Sequence, residues 1–147
     1  MREEDLEKCL NIVRELKEWF LESALKEIRR DLKAKGGYVS LRNGDVVGFI
    51  VVDERPCCLE ISWMAVDRRM HGKGVGTELL KAVEELACEK GKLVTVKTYG
   101  GEDYEPYNLT RRFYESRGFR LYEVIDPYPP WGQPAAVYVK IPSCIFQ

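Results

Sequence analysis

Apolar residues recur along this chain with two different periods. Leu6, Leu10, Val13 and Leu16 fall three or four apart, and so do Leu21, Leu25, Ile28 and Leu32. That spacing places one apolar stripe on a helix, so it predicts two helices, broken or bent near Trp19-Phe20. Gly36-Gly37 is expected to stop the second. From residue 38 the pattern changes to strands. Residues 38–42 lead into Asn43-Gly44, a pair that tolerates positive φ and therefore predicts a hairpin turn. Residues 46–53 are nearly all apolar, which predicts a strand buried on both faces. Pro56 interrupts, and residues 58–66 read as the next strand.

The helical period returns after a glycine-rich stretch. Leu79, Leu80, Val83, Leu86 and Ala87 form a buried stripe on a helix over residues 77–90, which Gly91 ends. Residues 93–98 predict a strand, and residues 99–107 a polar and aromatic loop. Asn108 or a neighbour is expected to cap a short helix running to Arg117, with Gly118 at its C′ position. Residues 120–125 and 135–141 predict two last strands, separated by a stiff loop rich in proline and aromatics. The order α-α-β-β-β-α-β-α-β-β implies an α/β fold with a mixed, mostly antiparallel central sheet flanked by helices. The length, 147 residues, predicts a single domain over 1–147.

Composition narrows the classes of function. Apolar residues make up 45% and charged residues 32%, with a net charge of -1, so there is no basic footprint for nucleic acid. No apolar run approaches the roughly 20 residues that span a bilayer, and no apolar h-region follows the acidic start. No membrane partner is therefore expected. The five cysteines, Cys9, Cys57, Cys58, Cys88 and Cys144, lack metal-site spacing and include an adjacent pair. They predict reduced thiols in a cytoplasmic protein. With His71 as the one histidine, no metal is expected.

The glycine-rich stretch carries the first chemical signal. Gly72, Gly74 and Gly76 alternate in a loop between a predicted strand and a predicted helix. Such a loop presents successive backbone N–H groups where the helix dipole is positive, which suits a phosphate or pyrophosphate. Arg68, Arg69 and Lys73 add positive charge. The G-x-x-x-x-G-K-[ST] pattern of a Walker loop is absent from the sequence. The G-x-G-x-G spacing also differs from the dinucleotide fingerprint G-x-G-x-x-G. Arg69-Met70-His71-Gly72-Lys73-Gly74 instead fits [QR]-x-x-G-x-[GA]. That hexapeptide resembles the coenzyme A pyrophosphate loop of the GCN5-related N-acetyltransferase (GNAT) superfamily.

A second segment strengthens the resemblance. Phe113-Tyr114-Glu115-Ser116-Arg117-Gly118-Phe119 is similar to the family's L-Y-E-x-x-G-F. The two signatures stand in the family's order and at a family-like separation, over roughly residues 38–141. The run from Thr110 to Glu115, with Trp131 and Pro134 before a closing strand, looks like a prokaryotic-type subgroup. The chain also departs from the pattern. Most members open with a strand before the first helix, whereas few residues precede Leu6 here. Many members place an asparagine seven residues before the tyrosine, where this chain has Tyr107, with Asn108 one step late.

The resemblance implies an acetyl-CoA-dependent N-acetyltransferase in which a primary amine attacks the thioester directly. Cofactor contacts are then expected from Met64, Ala65, Val66, Arg69, Met70, His71, Gly72, Lys73, Gly74, Val75, Gly76 and Thr77. A lysine-type amine is neutral in only roughly one part in a thousand at pH 7, so the reaction gains from a base. Glu60, a carboxylate early in an apolar strand, is the leading base, with water as the alternative. Tyr99, Glu102, Asp103 and Tyr104 follow behind it. Tyr114 is the expected acid for the departing thiolate, since a phenol with pKa near 10 is protonated at neutral pH. Trp131 and Tyr128 are candidates to wall an acceptor pocket. The acceptor is a small-molecule or peptide amine. The rival reading is a non-catalytic acyl-CoA-binding regulatory module, and a homodimer through a terminal strand is open in either.

Overall fold

The computed structural model describes residues 2–146. In chain order they form α1 (Glu3–Glu15), α2 (Ala24–Ala34), β1 (Gly36–Arg42), β2 (Asp45–Glu54), β3 (Cys58–Val66), α3 (Val75–Lys90), β4 (Leu93–Tyr99), α4 (Glu105–Ser116), β5 (Arg120–Tyr128) and β6 (Gln133–Lys140). Short 3-10 turns occupy Arg68–Met70 and Ser143–Phe146. The strands form one mixed sheet in the order β1-β2-β3-β4-β6-β5, and the fold is α/β as predicted. The chain divides into two compact units, Met1–Asp53 with Ile61–Leu86, and Glu54–Glu60 with Ala87–Gln147.

The first unit is built on β2. Every residue from Val46 to Val52 is buried, as the apolar run predicts. Phe49 and Val51 join Leu10, Val13, Ile28 and Leu32 in the core beneath α1 and α2. The opposite face of β2 carries Gly48, where an added Cβ would lie 2.9 Å from Val75 and 3.3 Å from Leu79 of α3. The absent side chain therefore lets the first turns of α3 lie directly on the strand. The β1–β2 hairpin turns on Asn43 (φ 53°) and Gly44 (φ 83°), the positive values that the Asn-Gly pair was expected to supply.

Boundaries differ in informative ways. The first helix ends at Glu15 and the second begins at Ala24. Leu21 is 75% exposed and belongs to neither stripe. Gly36-Gly37 do not merely stop a helix, because they open β1. A Cβ on Gly37 would stand 2.1 Å from the Ile50 carbonyl oxygen, so close strand pairing requires glycine there. Asn108 is not a cap. The helix begins at Glu105 behind Tyr104, with proline in its first turn, and Asn108 lies inside it.

The second unit is organised by β4 and β6, antiparallel with Val96 opposite Tyr138 and Thr98 opposite Ala136. The Leu93 N–H donates to the Cys57 carbonyl, the Thr95 hydroxyl reaches Cys58, and Lys97 reaches Glu60. The two sets of numbers rise together, so β3 and β4 run parallel, with α3 as the crossover that parallel neighbours need. Gly118 has φ 90° just beyond α4, its expected place. The expectation of five reduced thiols is corrected: Cys88 and Cys144 form a disulfide with Cα atoms 6.0 Å apart. Cys9, Cys57 and Cys58 are free. A sequence separation of 56 residues carries no spacing rule that would have revealed the pair.

Candidate functional site

The glycine loop leaves β3 through Asp67, whose N–H donates to the Val47 carbonyl. The Asp67 carboxylate accepts the Arg69 backbone N–H at 2.9 Å, Nε–H at 3.1 Å and Nη2–H at 2.7 Å. These contacts with Arg69 hold the carboxylate below its usual pKa range. Gly72 and Gly74 follow with φ 76° and 84°, and a Cβ on either would meet nothing within 4 Å. Glycine is thus required for backbone conformation and not for space. The helical bond from the Glu78 N–H to the Gly74 carbonyl makes Gly74 the N-cap of α3. Val75 and Gly76 then present N–H groups that the helix cannot satisfy, beside the positive end of its dipole.

The cations of the loop are not alike. Arg68 donates to Glu18 at 2.7 Å and to the Glu15 carbonyl at 3.0 Å. Arg69 is 85% exposed in its side chain yet closes back on Asp67. Lys73 is exposed and has no carboxylate partner among the described residues. His71 donates from Nε2 to the Val66 carbonyl at 2.8 Å and sets its ring edge-on to Trp19. It therefore pins the loop to the end of β3. Ala65 is buried, Met64, Val66, Met70 and Gly76 are half-buried, and Thr77 is exposed. The Val75 side chain belongs to the core, so its expected contribution is through backbone alone.

Glu60 lies in the second unit, held by two cations. Lys97 Nζ donates to it at 2.6 Å and Arg55 Nη2 at 3.3 Å. Burial alone would raise this carboxyl, but Lys97 and Arg55 outweigh it and keep the pKa below the usual range. Lys97 also stands 5.7 Å over the ring of Tyr128, which packs edge-on against Trp131. Nearby in the chain, the Tyr99 hydroxyl donates to Asp103 at 2.6 Å. The Asn108 amide nitrogen donates to the Glu102 carbonyl and to Glu105, while its oxygen accepts from Arg111. That amide is committed within its own loop and helix.

Tyr114 is the buried residue of α4. Its ring meets Phe113 and Phe119 edge-on at 5.4 and 5.3 Å. Burial drives its pKa far above the ordinary phenol value, so it stays protonated. Its hydroxyl makes no hydrogen bond among the described residues, and its oxygen is not fully enclosed. A hydroxyl overlooked by the sequence reading is that of Thr98 in β4. It is 6% exposed, and its Oγ1 is fully buried without a partner. Lys97 and Gly48 were overlooked as well, since neither belongs to a motif.

A sequence profile of the acetyltransferase (GNAT) family matches residues 6–119. No curated protein matches the chain. Among solved structures, a GNAT-family protein from Desulfovibrio desulfuricans is 22% identical over 97% of this chain and 95% of its own, with a TM-score of 0.81. The ribosomal-protein-S18-alanine N-acetyltransferase from Escherichia coli is 16% identical over 97% and 91%, with a TM-score of 0.77. A GNAT-family acetyltransferase from Elizabethkingia anophelis with acetyl-CoA bound is 18% identical over 82% and 84%, with a TM-score of 0.68.

Proposed function

The chain belongs to the acetyltransferase (GNAT) family, and we propose that it transfers an acetyl group from acetyl-CoA to a primary amine by direct attack. One observation carries this reading: a glycine loop with positive φ at Gly72 and Gly74, open above both, runs straight into the N-terminus of α3. Backbone N–H groups there suit a pyrophosphate. Residues 64–77 hold the cofactor, chiefly through main chain, with Lys73 as the available charge. When bound, acetyl-CoA supplies the activated acyl group and a thiolate leaving group.

Tyr114 serves the departing sulfur. Its buried phenol is held in the protonated form and is not committed to a protein acceptor. Of the two bases open at the outset, the reading favours water over Glu60. A carboxylate clamped by Lys97 and Arg55 is a weakened proton acceptor. Glu60 then fixes Lys97 in place. The acceptor is a small-molecule or peptide amine, with Trp131 and Tyr128 against its pocket.

No helix among the described residues is long and apolar enough to cross a membrane. The reading places the protein in the cytosol, where a lasting disulfide is uncommon outside heat-adapted organisms. A thiol titre of the native protein tests that placement. Three free thiols are expected from an intact Cys88–Cys144 bond, and five would mean that it is reduced in place. A homodimer through β5 belongs to the same proposal, since this edge strand exposes Leu121, Tyr122 and Val124. The activity itself is tested by following thiol release from acetyl-CoA against a panel of amines, with mass spectrometry of the products. A product heavier by one acetyl group is the expected result. A folded protein that binds acetyl-CoA but acetylates nothing would support the rival acyl-CoA-binding module.

A further inference from the structure

Of the cysteines outside the disulfide, Cys57 and Cys58 meet. The Arg55 N–H donates to the Cys58 carbonyl at 2.9 Å, closing a turn between β2 and β3 with Pro56 and Cys57 at its centre. Neighbours within a strand send their side chains to opposite faces. Cys57 stands in the turn and Cys58 opens β3, so that rule does not separate them. Their Sγ atoms lie 3.4 Å apart. Cys57 is exposed, whereas Cys58 is only 6% exposed. The turn is held from outside as well. The Leu93 N–H donates to the Cys57 carbonyl at 3.3 Å, and Lys92 Nζ donates to the Arg55 carbonyl at 2.8 Å. The Thr95 hydroxyl of β4 stands 3.8 Å from the Cys58 sulfur. The dithiol therefore sits on an anchored turn with one sulfur at the surface.

A direct disulfide between these residues fits poorly. Successive Cα atoms are about 3.8 Å apart, short of the roughly 4.4–6.8 Å that a disulfide spans. A zinc site is incomplete, because no group of three His, Cys, Asp or Glu among the described residues could hold a metal ion and structural zinc takes four ligands. One atom bonded to both sulfurs escapes both objections. At a bond length of about 2.3 Å, that of a zinc thiolate, sulfurs 3.4 Å apart subtend about 95°. That is nearer a right angle than a tetrahedral one, and it suits a pyramidal atom carrying a lone pair. We propose that Cys57 and Cys58 form a chelating site for a trivalent arsenical with one organic group, a soft centre with two positions left to fill. Two arsenic–oxygen bonds of the dihydroxy arsenical break and two arsenic–sulfur bonds form. Each thiol proton leaves with a hydroxide as water. Arsenic stays trivalent, so no oxidant or reductant is consumed. The exposed Cys57 bonds first, and Cys58 then closes the ring. Burial raises the Cys58 thiol above its ordinary pKa, and the uncharged product suits that environment.

The test incubates the native protein, without acetyl-CoA, with one equivalent of phenylarsine oxide in the presence of excess monothiol. Intact mass and titratable thiols are read. Wild type should gain one phenylarsenic group and lose two thiols, and an excess of a small 1,3-dithiol should reverse both changes. Cys57→Ser and Cys58→Ser should each bind at least about a hundredfold more weakly, because a single thiol lacks the effective concentration of the second. Cys57 is exposed, so Cys57→Ser should melt with wild type and carries the test even if Cys58→Ser fails to fold. A wild type that keeps all its thiols would overturn the inference, and so would wild-type affinity in Cys57→Ser. Loss of one thiol alone would mark an adventitious adduct and overturn it equally. No readout involves acetyl transfer, so failure of the enzyme reading would leave this result standing.

Discussion

The glycine loop and the layer between β4 and α4 are opposite kinds of site. The loop is exposed and, in the proposed reading, works through backbone. Its conformation demands glycine at 72 and 74, and two of its three cations are paired with carboxylates, Arg68 with Glu18 and Arg69 with Asp67. In the same reading the β4–α4 layer works through a side chain, that of Tyr114. Thr98 keeps a fully buried hydroxyl there without a partner among the described residues, where one is normally obligatory. A backbone site announces itself in sequence, because few residues adopt the conformation it needs. A side-chain site of this kind does not, because its signal is a missing contact that exists only after folding.

The largest effect that sharpens this contrast is expected at Tyr114. Tyr114→Phe keeps the ring packing against Phe113 and Phe119 and removes only the hydroxyl. It should lower kcat by about ten- to a thousandfold, with little change in KM for acetyl-CoA. A folded variant with less than a tenfold loss in steady-state assays would remove its role at the sulfur. Wild-type kcat should also show no fall from Tyr114 ionisation below about pH 10, since burial raises that phenol.

A smaller effect is expected where the core supports the loop. Gly48→Ala pushes a methyl to within 2.9 Å of Val75 and 3.3 Å of Leu79, displacing the start of α3. The expected cost is about 1–3 kcal/mol in denaturant unfolding, with a raised KM for acetyl-CoA and an unchanged kcat. A change in kcat alone would mean that Gly48 does not act through the loop.

Glu60→Gln should be milder in rate, within about threefold in kcat if water is the base. A loss of a hundredfold or more in kcat would return Glu60 to that role. Its stability signature is acid-dependent. Because Lys97 and Arg55 lower the Glu60 pKa on folding, its stabilisation is present above the unfolded value of about 4.3 and lost as pH falls through the lower folded value. Wild type should therefore lose stability below that pH more steeply than Glu60→Gln. The smallest effect is expected for Glu18→Gln, which releases Arg68 from its exposed pair. Acetyl-CoA affinity should change by no more than about threefold, read by titration at two salt concentrations. A larger gain would place Arg68 on the phosphates.

Most of the architecture was legible because its signals are local. Two helical stripes, the Asn43-Gly44 hairpin, the buried run of β2 and the C′ glycine at 118 each follow from periodicity or from φ. The glycine turn before α3 and the helix that carries Tyr114 were legible too. The pairing of Glu60 with Lys97 was not, since it depends on the parallel register of β3 and β4, 37 residues apart. Asn108 looked like a cap because the turn that precedes it, around Tyr104 and Pro106, carries no Ser, Thr, Asp or Asn at the true cap. Thr98 looked like an ordinary strand threonine, and only its burial without a partner sets it apart.

The most direct test of the central claim is calorimetric titration of the wild-type protein and of Gly74→Glu with acetyl-CoA. A glutamate at φ 84° on the N-cap of α3 strains the loop and sets a negative charge where phosphate is expected. The account predicts micromolar binding by wild type and no detectable binding by a folded Gly74→Glu. Equal binding by both would place the cofactor elsewhere, and no binding by wild type would contradict the acetyltransferase reading itself.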